Sequence, residues 1–110
     1  MEITRGDTKG LTFKRRNSDG TVITEKADKI YFTVKKNSVN GGITFQKTID
    51  DMTFDVDGAY HFVINPSDTN GLSYGNYCYD LEVKINDYVK TISKGDFIIT
   101  EEVTHKENEG

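Results

Sequence analysis

The feature that most constrains this chain is a period-two alternation of apolar and polar side chains, interrupted by turn residues roughly every ten positions. Ile30, Phe32 and Val34 share one phase, and Tyr31, Thr33 and Lys35 the other. Tyr60, Phe62 and Ile64 alternate with His61 and Val63, and Ile43, Phe45 and Ile49 share a phase with Lys47. In the longest run Tyr77, Tyr79, Leu81, Val83 and Ile85 alternate with Cys78, Asp80, Glu82 and Lys84. Successive side chains on a strand point to opposite faces, so this pattern gives each strand one apolar face. No window carries the i, i+3, i+4, i+7 spacing of an amphipathic helix.

Turn residues separate these runs. Asn17-Ser18-Asp19-Gly20, Asn40-Gly41-Gly42, Asp57-Gly58 and Asn86-Asp87 are the clearest, because Gly, Asn and Asp tolerate positive φ. Leu11 and Phe13 mark an early strand, and Phe97 and Ile99 a late one. Pro66, the one proline, lies in a stretch that holds a single helical or 3₁₀ turn. The expected fold is all-β: an immunoglobulin-like antiparallel β-sandwich of about seven or eight short strands, with no long helix. Residues 1–104 form one domain and 105–110 a flexible polar tail. Register is ambiguous at "VKINDYVKTI". A two-residue loop at Asn86-Asp87 places Lys90 opposite Val83, and a longer loop pairs Ile85 with Val89.

Composition narrows the function. A chain of 110 residues buries enough surface for one modest core without staples. Its net charge of −4 argues against a nucleic-acid partner, since phosphate neutralisation needs clustered cations. The local exception, Lys14-Arg15-Arg16, alternates across a strand end and is read as a solvated edge. Cys78 is the single cysteine, so the fold cannot rest on an intrachain disulfide. Met1 to Gly10 lacks an apolar core, so no signal peptide is expected, nor a membrane-spanning helix.

Catalytic and cofactor chemistry is not expected. His61 and His105 are far from Cys78 in sequence, and no zinc spacing exists. His61 sits on the outward phase of its strand and is read as a solvated residue. "DDMTFDVDG" resembles the middle of a calcium loop, but the positions that open and close such a loop fall on Thr53 and Ile64, which removes the bidentate carboxylate. No metal and no catalytic residue is assigned. What remains are surfaces. Tyr74, Asn76 and Tyr88 are candidate contact residues, because Tyr combines a large apolar ring with a polar tip. Asp68 is expected to cap the turn after Pro66. Tyr77, at the start of the long strand, is the candidate for a hydroxyl bonded back to the preceding loop, as in a tyrosine corner, and Tyr79 falls where an immunoglobulin domain has its second cysteine.

"TRGDTKG" contains Arg5-Gly6-Asp7, the tripeptide that integrins bind. Without a secretion signal it is read as a strand-to-strand turn, with the Asp7 and Thr8 side chains bonding their own backbone.

Two stretches together carry a resemblance. They are "ITRGDTKGLTF" and "INPSDTNGLSYGNYCYDLEVKIND" continuing into "VKTISKGDFIITEEVT". The chain resembles small immunoglobulin-like sandwich proteins of tailed phages and prophages, and in particular the N-terminal domain of phage baseplate upper proteins. The resemblance implies a non-enzymatic virion component that contacts other tail or baseplate proteins and self-associates in a symmetric assembly, located in the virion or, before assembly, in the host cytoplasm. No cofactor, nucleic-acid or membrane partner follows from it. The alternative is a carbohydrate- or surface-binding module, with Tyr74 and Asn76 near Asp80 as its site.

Overall fold

A computed structural model describes residues 1–36 and 42–102. Its described residues form eight strands: β1 (Glu2–Thr4), β2 (Lys9–Lys14), β3 (Lys29–Lys36), β4 (Ile43–Thr48), β5 (Thr53–Phe54), β6 (Ala59–Ile64), β7 (Gly75–Ile85) and β8 (Tyr88–Thr100). A 3₁₀ turn, Ile49–Asp51, and one short helix, α1 (Pro66–Thr69), complete the elements. The all-β expectation holds. Asn40 and Gly41 of the predicted turn, and the predicted tail 105–110, lie outside the described residues.

The strands form a five-stranded sheet in the order β1-β8-β7-β3-β4 and a three-stranded sheet in the order β2-β6-β5. The sheets face each other across the alternating apolar phases. Phe32 of the first meets Phe62 of the second with ring centroids 5.0 Å apart, and Phe13 stacks on Tyr60 at 4.9 Å. Ile30, Val34, Tyr60, Ile64, Phe97 and Ile99 are all buried. Burying such side chains contributes about 1.5–3 kcal/mol each.

Two expectations about the strands need correction. β1 runs parallel to β8, pairing Glu2 with Ile98 and Thr4 with Thr100, so the sandwich is not wholly antiparallel. The strands are also not all short, since β7 has 11 residues and β8 has 13. Their hairpin has the two-residue loop: Ile85 faces Tyr88 and Val83 faces Lys90, with Asn86 at φ 54°. Further along, Leu81 pairs with Ser93 but Glu82 pairs with Thr91, so Ile92 is an extra residue in β8. This bulge reverses the phase of β8. Counting back by twos from the buried Phe97 would put Val89 and Thr91 on the core-facing side. Instead Tyr88 and Lys90 stand opposite the core-facing Ile85 and Val83, and Val89 is exposed.

β1 and β2 do not pair with each other; the turn between them carries the chain from one sheet to the other. Asp57-Gly58 does close the β5–β6 hairpin, with Gly58 at φ +93° and its amide bonded to the Asp55 carbonyl.

Candidate functional site

The predicted contact residues do not form one surface. Tyr74 immediately precedes β7, and Tyr88 follows its far end, about 35 Å away at strand rise. Asn76 is exposed opposite Ile98, near Tyr74 but remote from Tyr88. Both tyrosines are exposed, Tyr74 at 42% and Tyr88 at 66%. Asp80 pairs with Thr33 and Lys94 in mid-sheet, four residues beyond Asn76.

At the Tyr74 end, the Arg5-Gly6-Asp7 turn is docked onto the end of α1 and the chain after it. Gly6 takes φ +86°, and the Asp7 amide donates to the Thr4 carbonyl over 3.0 Å, which closes a turn with glycine at its third position. The Gly6 amide donates to the hydroxyl of Thr69, which is fully buried. Arg5 lies 4.3 Å above the Tyr74 ring, donates to the Leu72 carbonyl over 3.3 Å and reaches Glu102 at 3.5 Å. The guanidinium an integrin would need is therefore engaged within the fold. The expectation that the Asp7 side chain bonds its own turn is corrected. Asp7 is exposed, and among the described residues its contribution to the turn is through its backbone amide.

Asp68 and Tyr77, the two other structural assignments, both make local hydrogen bonds. The Asp68 carboxylate accepts the Asn65 amide at 2.7 Å, capping α1, and also meets the Lys47 ammonium at 2.7 Å. Lys47 shares the phase of Phe45, so this ion pair ties edge strand β4 to the α1 loop. The Tyr77 hydroxyl, on a buried ring, donates to the Ser73 carbonyl over 3.0 Å.

His61 is not a freely solvated strand residue. It sits opposite Thr12 on neighbouring strands, bonded to the Thr12 hydroxyl at 2.9 Å through Nδ1 and to Asp55 at 2.6 Å through Nε2. A hydroxyl, an imidazole and a carboxylate in series have the order of a nucleophile relay. Here they lie on the outer phase of the three-stranded sheet, with Asp55 about half exposed, and they bridge β2, β6 and the end of β5. The arrangement is a cross-strand tie. Among the described residues no group of three His, Cys, Asp or Glu side chains is placed to hold a metal ion, and no helix is long and apolar enough to cross a membrane.

A further concavity lies at the opposite end of the sandwich. It is an open cleft of about 630 Å³ lined from both sheets and the residues just past β2. Phe13 and Ile23 line one side, Leu81, Val83 and Ile85 the other, and Tyr88, Lys90 and Ile92 the β8 border. Lys14, Arg15, Arg16 and Lys90 also line it, with no Asp or Glu among the lining residues. Of these, Lys14 points toward Asp57 at 3.6 Å and Arg16 donates to the Gly20 carbonyl.

Arg15 overturns the reading of Lys14-Arg15-Arg16 as a wholly solvated edge. It is 7% exposed, continuing the inward phase of Leu11 and Phe13. One terminal nitrogen donates to the Glu25 carbonyl, while its Nε is buried and has no hydrogen-bond partner among the described residues. Its position two residues after Phe13 was the signal in the sequence, but the charge run hid it. Nothing local announced the bulge that swings Lys90 into the cleft.

No known protein-family model matches the chain, and no curated protein matches it.

Proposed function

We propose that this chain is a non-enzymatic structural or accessory module of a phage or prophage virion, acting in a tail or baseplate through protein–protein contacts. The resemblance in its opening and closing segments leads to this reading. The immunoglobulin-like part is supported by strand order. β7 lies between β8 and β3 in one sheet, β2-β6-β5 form the other, and the tyrosine at the start of β7 bonds back to the preceding loop. The virion, with the host cytoplasm before assembly, is the location that goes with it.

The observation that carries the contact role is the outer edge of β8. β1 pairs with β8 over Ile98–Thr100, and the Met1 amine reaches the Asp96 carbonyl. From Tyr88 to Gly95 no strand lies on that side among the described residues. An unpaired edge beside an apolar cleft is a surface suited to a second chain.

The alternative, a carbohydrate- or surface-binding module centred on Tyr74 and Asn76, has less support. Sugar stacking needs an open ring face, and the Arg5 guanidinium covers one face of Tyr74. Pull-down of tail and baseplate proteins with the immobilised chain, together with size-exclusion chromatography and light scattering, tests the assembly reading. Retention of a tail protein or formation of a defined oligomer is expected. A monomer that retains no tail protein would sink the reading, and binding on a glycan array would replace it with the alternative.

A further inference from the structure

We propose that the cleft at the β7–β8 hairpin is a strand-docking site for an extended peptide of alternating acidic and apolar side chains, laid along the open edge of β8 with one carboxylate on Arg15. The proposal rests on the protein–protein reading above and specifies its partner chemistry. The first support is the edge itself. Tyr88 to Gly95 offers unpaired backbone groups over eight positions, long enough for a full added strand.

The second support is the apolar floor. Ile85 and Ile92 line the cleft and are only partly buried, so side chains from one face of a docked strand have somewhere to go. The other face stays in water.

The third is charge. The chain has more acidic than basic residues, yet no Asp or Glu lines the cleft; of its four cations Lys14 turns to Asp57 and Arg16 to the Gly20 carbonyl, which leaves Arg15 and Lys90. Arg15 is the informative one. A buried N–H without an acceptor is costly, and its Nε is such a donor. A guanidinium presents Nε and a terminal nitrogen as a fork that fits a carboxylate. Nε itself is closed to solvent, so a docked acidic side chain supplies the missing acceptor as the guanidinium turns toward the cleft. Lys90, turned to the core-facing side by the bulge at Ile92, adds charge at the rim.

A second copy of this chain is disfavoured as the occupant. The Tyr88–Gly95 edge of a second copy carries Lys90 and Lys94 and no Asp or Glu, so it has no carboxylate to offer Arg15.

The test is an NMR titration of the full chain with a capped octapeptide of alternating glutamate and valine. A lysine–valine peptide of equal length serves as control. Shifts are expected at the amides from Tyr88 to Gly95 and at Arg15 Nε–H, with none from the basic peptide. Lys90→Glu, at an exposed position, weakens binding about tenfold at low salt. Arg15→Lys keeps the charge but removes Nε, and lowers affinity further if it folds; Lys90→Glu decides the matter if it does not. Equal binding of both peptides, or no shifts at millimolar acidic peptide, overturns the site. So does self-association through the same amides without peptide. Pull-down of tail proteins is read separately: a chain that retains them while ignoring the acidic peptide keeps its assembly role and loses this docking site.

Discussion

The backbone amide of Gly6 donates to the hydroxyl of Thr69 over 2.9 Å, joining the first turn to the end of α1, 63 residues apart. Thr69 is fully buried, so its hydroxyl has no water to fall back on. Thr69→Val leaves the Gly6 N–H without its acceptor and is expected to cost about 1–3 kcal/mol in denaturant unfolding. Gly6→Ala forces a side chain into φ +86° with its Cβ 3.0 Å from the Asn70 amide oxygen, and is expected to cost about 1–2 kcal/mol. Asp7→Ala, on an exposed side chain, is expected to stay within about 0.5 kcal/mol of the parent. A loss at Asp7 matching that at Thr69 would contradict the assignment of the turn to backbone bonds.

The same turn decides the integrin question. Arg5 is held by Tyr74, Leu72 and Glu102. Surfaces coated with the folded chain are expected to support no integrin-dependent cell attachment above that seen with Asp7→Glu. Attachment blocked by a soluble Arg-Gly-Asp peptide would show that the turn opens.

Lys47 and Asp68 are expected to be energetically coupled. Their charged groups are 2.7 Å apart, with side chains 13% and 19% exposed, so water screens them less than a surface pair. Asp68 also caps α1, so Asp68→Ala should destabilise more than Lys47→Ala. A double-mutant cycle is expected to give about 1 kcal/mol of coupling. A value indistinguishable from zero would reduce the contact to a surface ion pair.

Tyr77→Phe removes one hydroxyl and leaves the buried ring in place. The lost bond to the Ser73 carbonyl is expected to lower stability by about 1 kcal/mol. Unfolding curves with an unchanged midpoint would remove Tyr77 from the corner role.

Asp19 gives a prediction in pH. Hydrogen bonds from the Thr21 hydroxyl and amide hold its carboxyl below the ordinary 3.8. A depressed folded-state value means its stabilisation is present above the unfolded value and is lost as pH falls through the folded one. Thr21→Val, which removes the hydroxyl donor, is expected to raise the Asp19 titration midpoint measured by carboxyl-carbon NMR. A midpoint that does not move would assign the depression to the backbone amide alone.

Local pattern determined much of this protein. Alternation at Ile30–Val34, Tyr60–Ile64 and Tyr77–Ile85 specified β-structure and its buried face, because burial on a pleated strand repeats every two residues. Asn86-Asp87 marked a turn but left its loop length open, and pairing between β7 and β8 decided it. Tertiary structure alone decided which segments meet. It set β1 parallel to β8, docked Arg5 on Tyr74 and joined Lys47 to Asp68. These contacts depend on partners distant in sequence. The cleft was least legible of all, for two reasons. A single extra residue at Ile92 exchanges the faces of β8, and a run of three cations hides that Arg15 continues the inward phase of Phe13. Both effects come from pairing and packing against other strands, which no stretch of residues contains by itself.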